Sequence, residues 1–148
     1  MRNILVWVGG TALLAATAID TLAVAGRNLG MPILGSIELV QGAVLVSGTV
    51  ALVLATLSGG HARVRLVTDH LQGLPRRLLA SAARIASVSL FAALALGSIW
   101  LAADLWNGHE RSEVVGVPWR VLRLVANAGF LACALIALKQ IMIGRPRP

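Results

Sequence analysis

Apolar and polar positions fall in long blocks along this chain, not at the short periodic spacing of a half-buried soluble helix or strand. From Ile4 to Ala25 the only charge is Asp20, and neither Leu39 to Leu57 nor Ile85 to Ala103 holds any. A fourth charge-free stretch, Leu124 to Leu138, is 15 residues long. A helix crosses the hydrocarbon core of a bilayer with roughly 20 apolar residues, and flanking basic side chains can snorkel outward to lengthen a short span. The pattern therefore predicts an all-α integral membrane protein. Its four transmembrane helices cover about 4–25, 36–57, 76–106 and 118–143, in a single domain 1–148.

The polar blocks carry the punctuation. Gly26, Gly30 and Pro32 break the first helix. Ser36 suits an N-cap, and Glu38 falls in the first turn of the second helix, where the helix dipole favours an anion. Between helices 2 and 3, Val64, Val67 and Leu71 recur at helical spacing, with Arg63, Arg65, Asp69 and Gln72 on other faces. A short interfacial amphipathic segment is expected there. Pro75 suits the first turn of helix 3, and Gly144 with Pro146 should stop helix 4.

Composition agrees. Of 148 residues 57% are hydrophobic and 13% charged, against about 25% charged in ordinary soluble domains. The net charge of +7 sits between apolar spans and not on one soluble face, so nucleic acid is not expected as a partner. One side of the predicted topology holds Arg2, Arg63, Arg65, Arg76, Arg77, Lys139, Arg145 and Arg147; the other holds Arg27, Arg111, Arg120 and Arg123. Basic residues favour the cytoplasmic side, which predicts an N-in/C-in arrangement. Ala16-Thr17-Ala18 and Ala23-Val24-Ala25 resemble signal-cleavage sites, but the apolar run exceeds a signal h-region and reads as a retained helix. Trp7, Trp106 and Trp119, with Arg76 and Arg77, are expected at the lipid interface.

Candidate chemistry is sparse. Asp20 and Asp104 lie near the outer ends of their spans and read as interfacial or helix-pairing groups; the alternative is a small self-associating transporter that uses both for ion coupling. His61, His70 and His109 all lie in connecting segments, so the spans offer no axial ligand for a membrane-anchored haem. No zinc spacing, nucleophile–base constellation or phosphate loop occurs. Cys133, alone in a span, reads as a small packing residue. Neither enzyme activity nor a cofactor or metal in this chain is expected. Rows of small residues, which let helix backbones approach in a bilayer, run through Ala43, Ser47, Ala51, Ala55 and Gly59; through Ser89, Ala93 and Gly97; and through Gly129, Cys133 and Ala137. Asn127 reads as an interhelical hydrogen bond or a partner contact.

Three connecting motifs stand in a particular order. Arg27-Asn28-Leu29-Gly30-Met31-Pro32 precedes the Glu38-Leu39 helix start; Gly59-Gly60-His61-Ala62-Arg63-Val64 closes that helix; Glu110-Arg111-Ser112 with Gly116-Val117-Pro118 opens helix 4. Over about Arg27 to Ile136 this set resembles the small membrane subunit of tripartite ATP-independent periplasmic (TRAP) transporters, the DctQ-type family, departing from its pattern at Asn28, Ile37 and Arg65.

The resemblance implies a bacterial or archaeal cytoplasmic (inner) membrane protein. It would scaffold a large membrane transport subunit and help dock a periplasmic solute-binding protein, with sodium bound only at the large subunit. It also implies that Arg27, Glu38, His61, Arg63, Glu110, Ser112 and Pro118 are structural or subunit-interface residues. Glu38 and His61, 23 residues apart, would be about 35 Å apart on one helix and mark opposite membrane faces. An Arg27–Glu38 pair could fix the connection between helices 1 and 2, or either residue could meet a partner subunit. His61 and Arg63 could bind lipid headgroups or the large subunit.

Overall fold

The computed structural model describes residues 2–58, 74–108 and 111–142, with side chains at all of these but 74, 76, 77 and 80. Four helices account for most of them: α1 (Arg2–Asn28), α2 (Ser36–Ser58), α3 (Leu74–Asp104) and α4 (Trp119–Met142). Each is long and apolar enough to cross a membrane, as their sequence blocks require. The expected interfacial segment, with His61 and Arg63, lies outside the described residues, as do Glu110 and the helix stop at Gly144 and Pro146.

Helix ends differ from expectation by a few residues, for local reasons. α1 runs on to Asn28 because Gly30 (φ 75°) caps it in the left-handed conformation: Met31 N–H reaches Gly26 C=O at 2.8 Å and Gly30 N–H reaches Arg27 C=O at 3.3 Å. At the start of α2 the first intrahelical bond is Leu39 N–H to Gly35 C=O, 3.1 Å. Gly35, not Ser36, is thus the N-cap, and Ser36 is a buried first residue.

Packing follows small residues set against larger ones. On α1, Gly9, Ala16 and Ala23 are buried, one every seventh position, so the same stripe returns every two turns and lies along α2. A Cβ at Gly9 would come within 3.0 Å of Val50 Cγ1. α2 and α4 run parallel: Gly42 faces Leu122, Thr49 sits over Gly129, and Thr56 Oγ1 and Cys133 Sγ are hydrogen-bond partners at 3.4 Å. Gln140 Nε2 also donates to Thr56 C=O at 2.9 Å, tying the far ends of this pair. α3 packs on the other side of α4, placing Phe91 against Cys133 and Ala137, with Leu52, Val53, Val88 and Ala134 around them. Ser98 Oγ donates to Asn127 Oδ1, which forms the interhelical bond expected at Asn127.

The row on α4, Gly129, Cys133 and Ala137, is buried as expected. The row on α3 is not: Ser89, Ala93 and Gly97 are exposed, and Phe91, Ala95 and Ala102 face inward instead. α4 already supplies the small partners, so α3 contributes the large ring that fills them. The α2 row is split, with Ala51 exposed and Ala43, Ser47 and Ala55 half-buried.

Hydroxyls within the helices satisfy themselves locally. Thr11, Thr17, Thr21, Thr56, Ser58 and Ser87 each donate to the carbonyl four residues back, which keeps these O–H groups hydrogen-bonded within an apolar helix.

The described helices form an open row in the order α1, α2, α4, α3. Among the described residues α1 packs on α2 alone and α3 on α4 alone, so the row does not close into a bundle.

Candidate functional site: a carboxylate clamp at the start of α2

Among the described residues, a polar constellation gathers where α2 and α4 begin. Gly35 (φ 77°) turns the chain into α2, placing Glu38 half-buried in its first turn. The loop between α3 and α4 folds over this end. It is shaped by Ser112 N–H to Val117 C=O (3.0 Å), Gly116 N–H to Ser112 C=O (3.2 Å) and an antiparallel bridge between Arg111 and Pro118. Val115 N–H also donates to Ser112 Oγ at 3.1 Å.

This fold of the loop aims three donors at one carboxylate. Ser112 Oγ donates to Glu38 Oε2, Val115 N–H to the same oxygen at 2.9 Å, and Val114 N–H to Oε1 at 3.2 Å. Adjacent backbone N–H groups converging on an anion form a nest. Here the anion belongs to the same chain, so the arrangement is a clamp between α2 and the loop. The fit is close: a Cβ on Gly35 would come within 2.7 Å of Val115 Cγ2. Beside the clamp, Glu38, Gly42, Ser112, Val115, Trp119 and Leu122 line a narrow cleft of about 100 Å³.

A second tie fixes the other side of the loop. Arg120 Nη2 donates to Gly108 C=O at 2.9 Å, and its guanidinium lies 5.9 Å from the centre of the Trp106 ring, within cation–π range.

The motif residues are thus only partly brought together. Glu38 and Ser112 meet directly, and Pro118, immediately before α4, accepts from Val121 N–H three residues on at 3.1 Å. Arg27 is exposed at the same end and forms no ion pair with Glu38, because loop donors occupy the carboxylate. Trp7 and Trp106 are exposed, whereas Trp119 is half-buried between α2 and the loop. Arg76 and Arg77 belong to α3. Asp20 on α1 and Asp104 on α3 are both exposed, on the two end helices of the row, and neither lines the cleft. Sequence reasoning missed the N–H groups of Val114 and Val115, which any residue type supplies, and Arg120, whose partner lies 12 residues away.

No individually curated protein matches the chain. Residues 16–144 match the family model for "Tripartite ATP-independent periplasmic transporters, DctQ component", and that interval takes in the Glu38 clamp and all but the first half of α1. This multi-pass membrane chain therefore belongs to the DctQ family, the small component of TRAP transporters.

Proposed function

We propose that this chain is a non-catalytic scaffold subunit in sodium-coupled solute uptake. It widens the membrane platform on which a large transport subunit moves, and its loop at the Glu38 end helps dock a periplasmic solute-binding protein. The observation that carries this reading is the open row: among the described residues, helices joined edge to edge offer long lateral faces to a neighbour. α1 supports it too, since only Gly9, Ala16 and Ala23 of its 27 residues are buried. Solute and sodium belong to the large subunit, and this chain holds no cofactor. The surplus of basic residues at one side argues for both termini in the cytoplasm of a bacterial or archaeal cell, with the clamp facing the periplasm.

The test is purification from native membranes followed by reconstitution. A larger membrane protein should co-purify, and this chain alone in liposomes should neither bind nor move solute. Uptake by the chain alone would overturn the proposal and favour ion coupling through Asp20 and Asp104.

A further inference from the structure

At the Glu38 end α1 rises above the start of α2. Gly9 lies against Ser47 and Val50, and Gly26 against Met31, so the two helices run antiparallel in a register that sets Asp20 level with Glu38. Glu38 in turn marks the edge of the hydrocarbon. The charge-free run behind it, Leu39 to Leu57, is 19 residues long. That is about 28 Å of helix for a core of about 30 Å, which leaves no slack. From Asp20, α1 continues for eight residues to Asn28, about 12 Å along its axis. A tilt of about 20° shortens this by less than about 1 Å, and the headgroup layer of one leaflet is only about 5–8 Å deep. The turn at residues 29–31 therefore clears the lipid.

This crest is apolar. Leu29 is 72% exposed and Met31 70%, and Ile33 and Leu34 are exposed on the descent to α2. No charge falls between Arg27 and Glu38, and Arg27 itself is exposed at the foot of the crest. The crest is also held in shape. Met31 N–H donates to Gly26 C=O at 2.8 Å, and a Cβ on Gly26 would come within 2.5 Å of the Met31 carbonyl oxygen. The backbone is drawn down onto α1, and the side chains are left outward.

We propose that the crest seats in a recess of the large transport subunit, above the bilayer, with an apolar floor and a carboxylate at its edge to meet Arg27. The inference rests on the reading of this chain as a subunit, and it adds a contact outside the lipid to the lateral faces of the row. Lipid does not suit the crest, which stands higher than headgroups reach. A soluble component that comes and goes would return four large apolar side chains to water at every departure, and proteins rarely leave such patches bare. A second copy would bring another Arg27 and no acid, since none lies between Asp20 and Glu38. A permanently bound membrane partner meets all three conditions. Because the crest is preformed, docking costs little ordering. The proposal holds for either orientation of the chain.

The experiment places benzoylphenylalanine at Met31 of the full chain in native membranes. Illumination should join position 31 to a membrane protein larger than this chain, identified by its peptides as the large transport subunit. A cross-link to lipid, to a second copy or to a soluble protein would overturn the proposal. So would the absence of a product where the same probe at Leu14, exposed on α1 within the bilayer, gives one. Met31→Asp alters an exposed side chain and should lower the co-purified large subunit by roughly fivefold or more, the scale of losing one interface anchor. Leu29→Asp repeats the measurement at a second exposed position, and Arg27→Glu should act in the same direction. Unchanged recovery in both Asp variants would overturn the crest contact alone. A wild-type chain that recovers no larger membrane protein would overturn the scaffold reading, and this inference with it.

Discussion

Glu38 accepts a hydrogen bond from Ser112, 74 residues further along the chain, and through it the start of α2 holds the loop that leads into α4. The bond matters because it comes with two backbone partners, Val114 and Val115 N–H. Replacing the carboxylate by an amide leaves one acceptor oxygen and turns an N–H₂ toward N–H donors. Glu38→Gln should therefore accelerate amide hydrogen exchange at Val114 and Val115 by roughly an order of magnitude. Ser112→Ala should produce a smaller rise at the same amides. Unchanged exchange in Glu38→Gln would show that the loop holds itself.

Two glycines with nearly the same backbone angle separate strain from crowding. Gly30 (φ 75°) has nothing within 4 Å of a built Cβ, whereas Gly35 (φ 77°) would press on Val115 and Val114. Gly30→Ala should cost only the left-handed penalty, about 1–2 kcal/mol. Gly35→Ala should cost more and should also loosen the clamp amides. Thermal unfolding of the detergent-solubilised chain, with exchange at Val114, distinguishes the two.

Thr49 and Gly129 mark a close approach of α2 to α4, since a Cβ at 129 would overlap Thr49 Cγ2. Gly129→Ala should destabilise by about 1–3 kcal/mol, the usual range for overpacking. Thr49→Ser removes the offending methyl and keeps the hydroxyl. The double variant should recover most of the loss, and a double-mutant cycle reads the coupling directly.

Phe91 is 4% exposed and fills the space beside Cys133 and Ala137. Phe91→Ala should cost about 3–5 kcal/mol through the cavity it leaves. Trp100, on the same helix but 75% exposed, should tolerate alanine with little change in unfolding temperature. Equal losses at the two positions would mean that α3 is rotated from the orientation described.

Asp20 and Asp104 sit on helices that do not touch. A scaffold role predicts that Asp20→Asn with Asp104→Asn leaves uptake by the assembled transporter within about twofold, the scale of surface substitutions. Loss of uptake with assembly intact would return the ion-coupling reading.

The membrane class and the four spans were legible because bilayer thickness imposes a minimum length on apolar runs, and a run of residues is visible in one dimension. Glu38 stood out for a local reason, its place in a first turn. Ser112 stood out as a motif residue, but its pairing with Glu38 did not, because the two lie 74 residues apart and the remaining donors are backbone N–H groups without a residue signature. The pairing of helices was harder still. Small residues occur in several registers of an alanine-rich chain, and the stripe that packs is chosen by the bulk facing it. Phe91 against Cys133 selected one face of α3 and left Ser89, Ala93 and Gly97 outside. Gly9, Ala16 and Ala23, seven apart, became recognisable only beside α2.

Four cylinders in a ring would hide their inner sides from everything except one another. Strung side by side as α1, α2, α4 and α3, they behave like palings in a fence, each member beyond the first adding breadth in the plane of the bilayer. Among the described residues, each end helix of the row, α1 and α3, keeps a whole flank that no other helix of the chain covers.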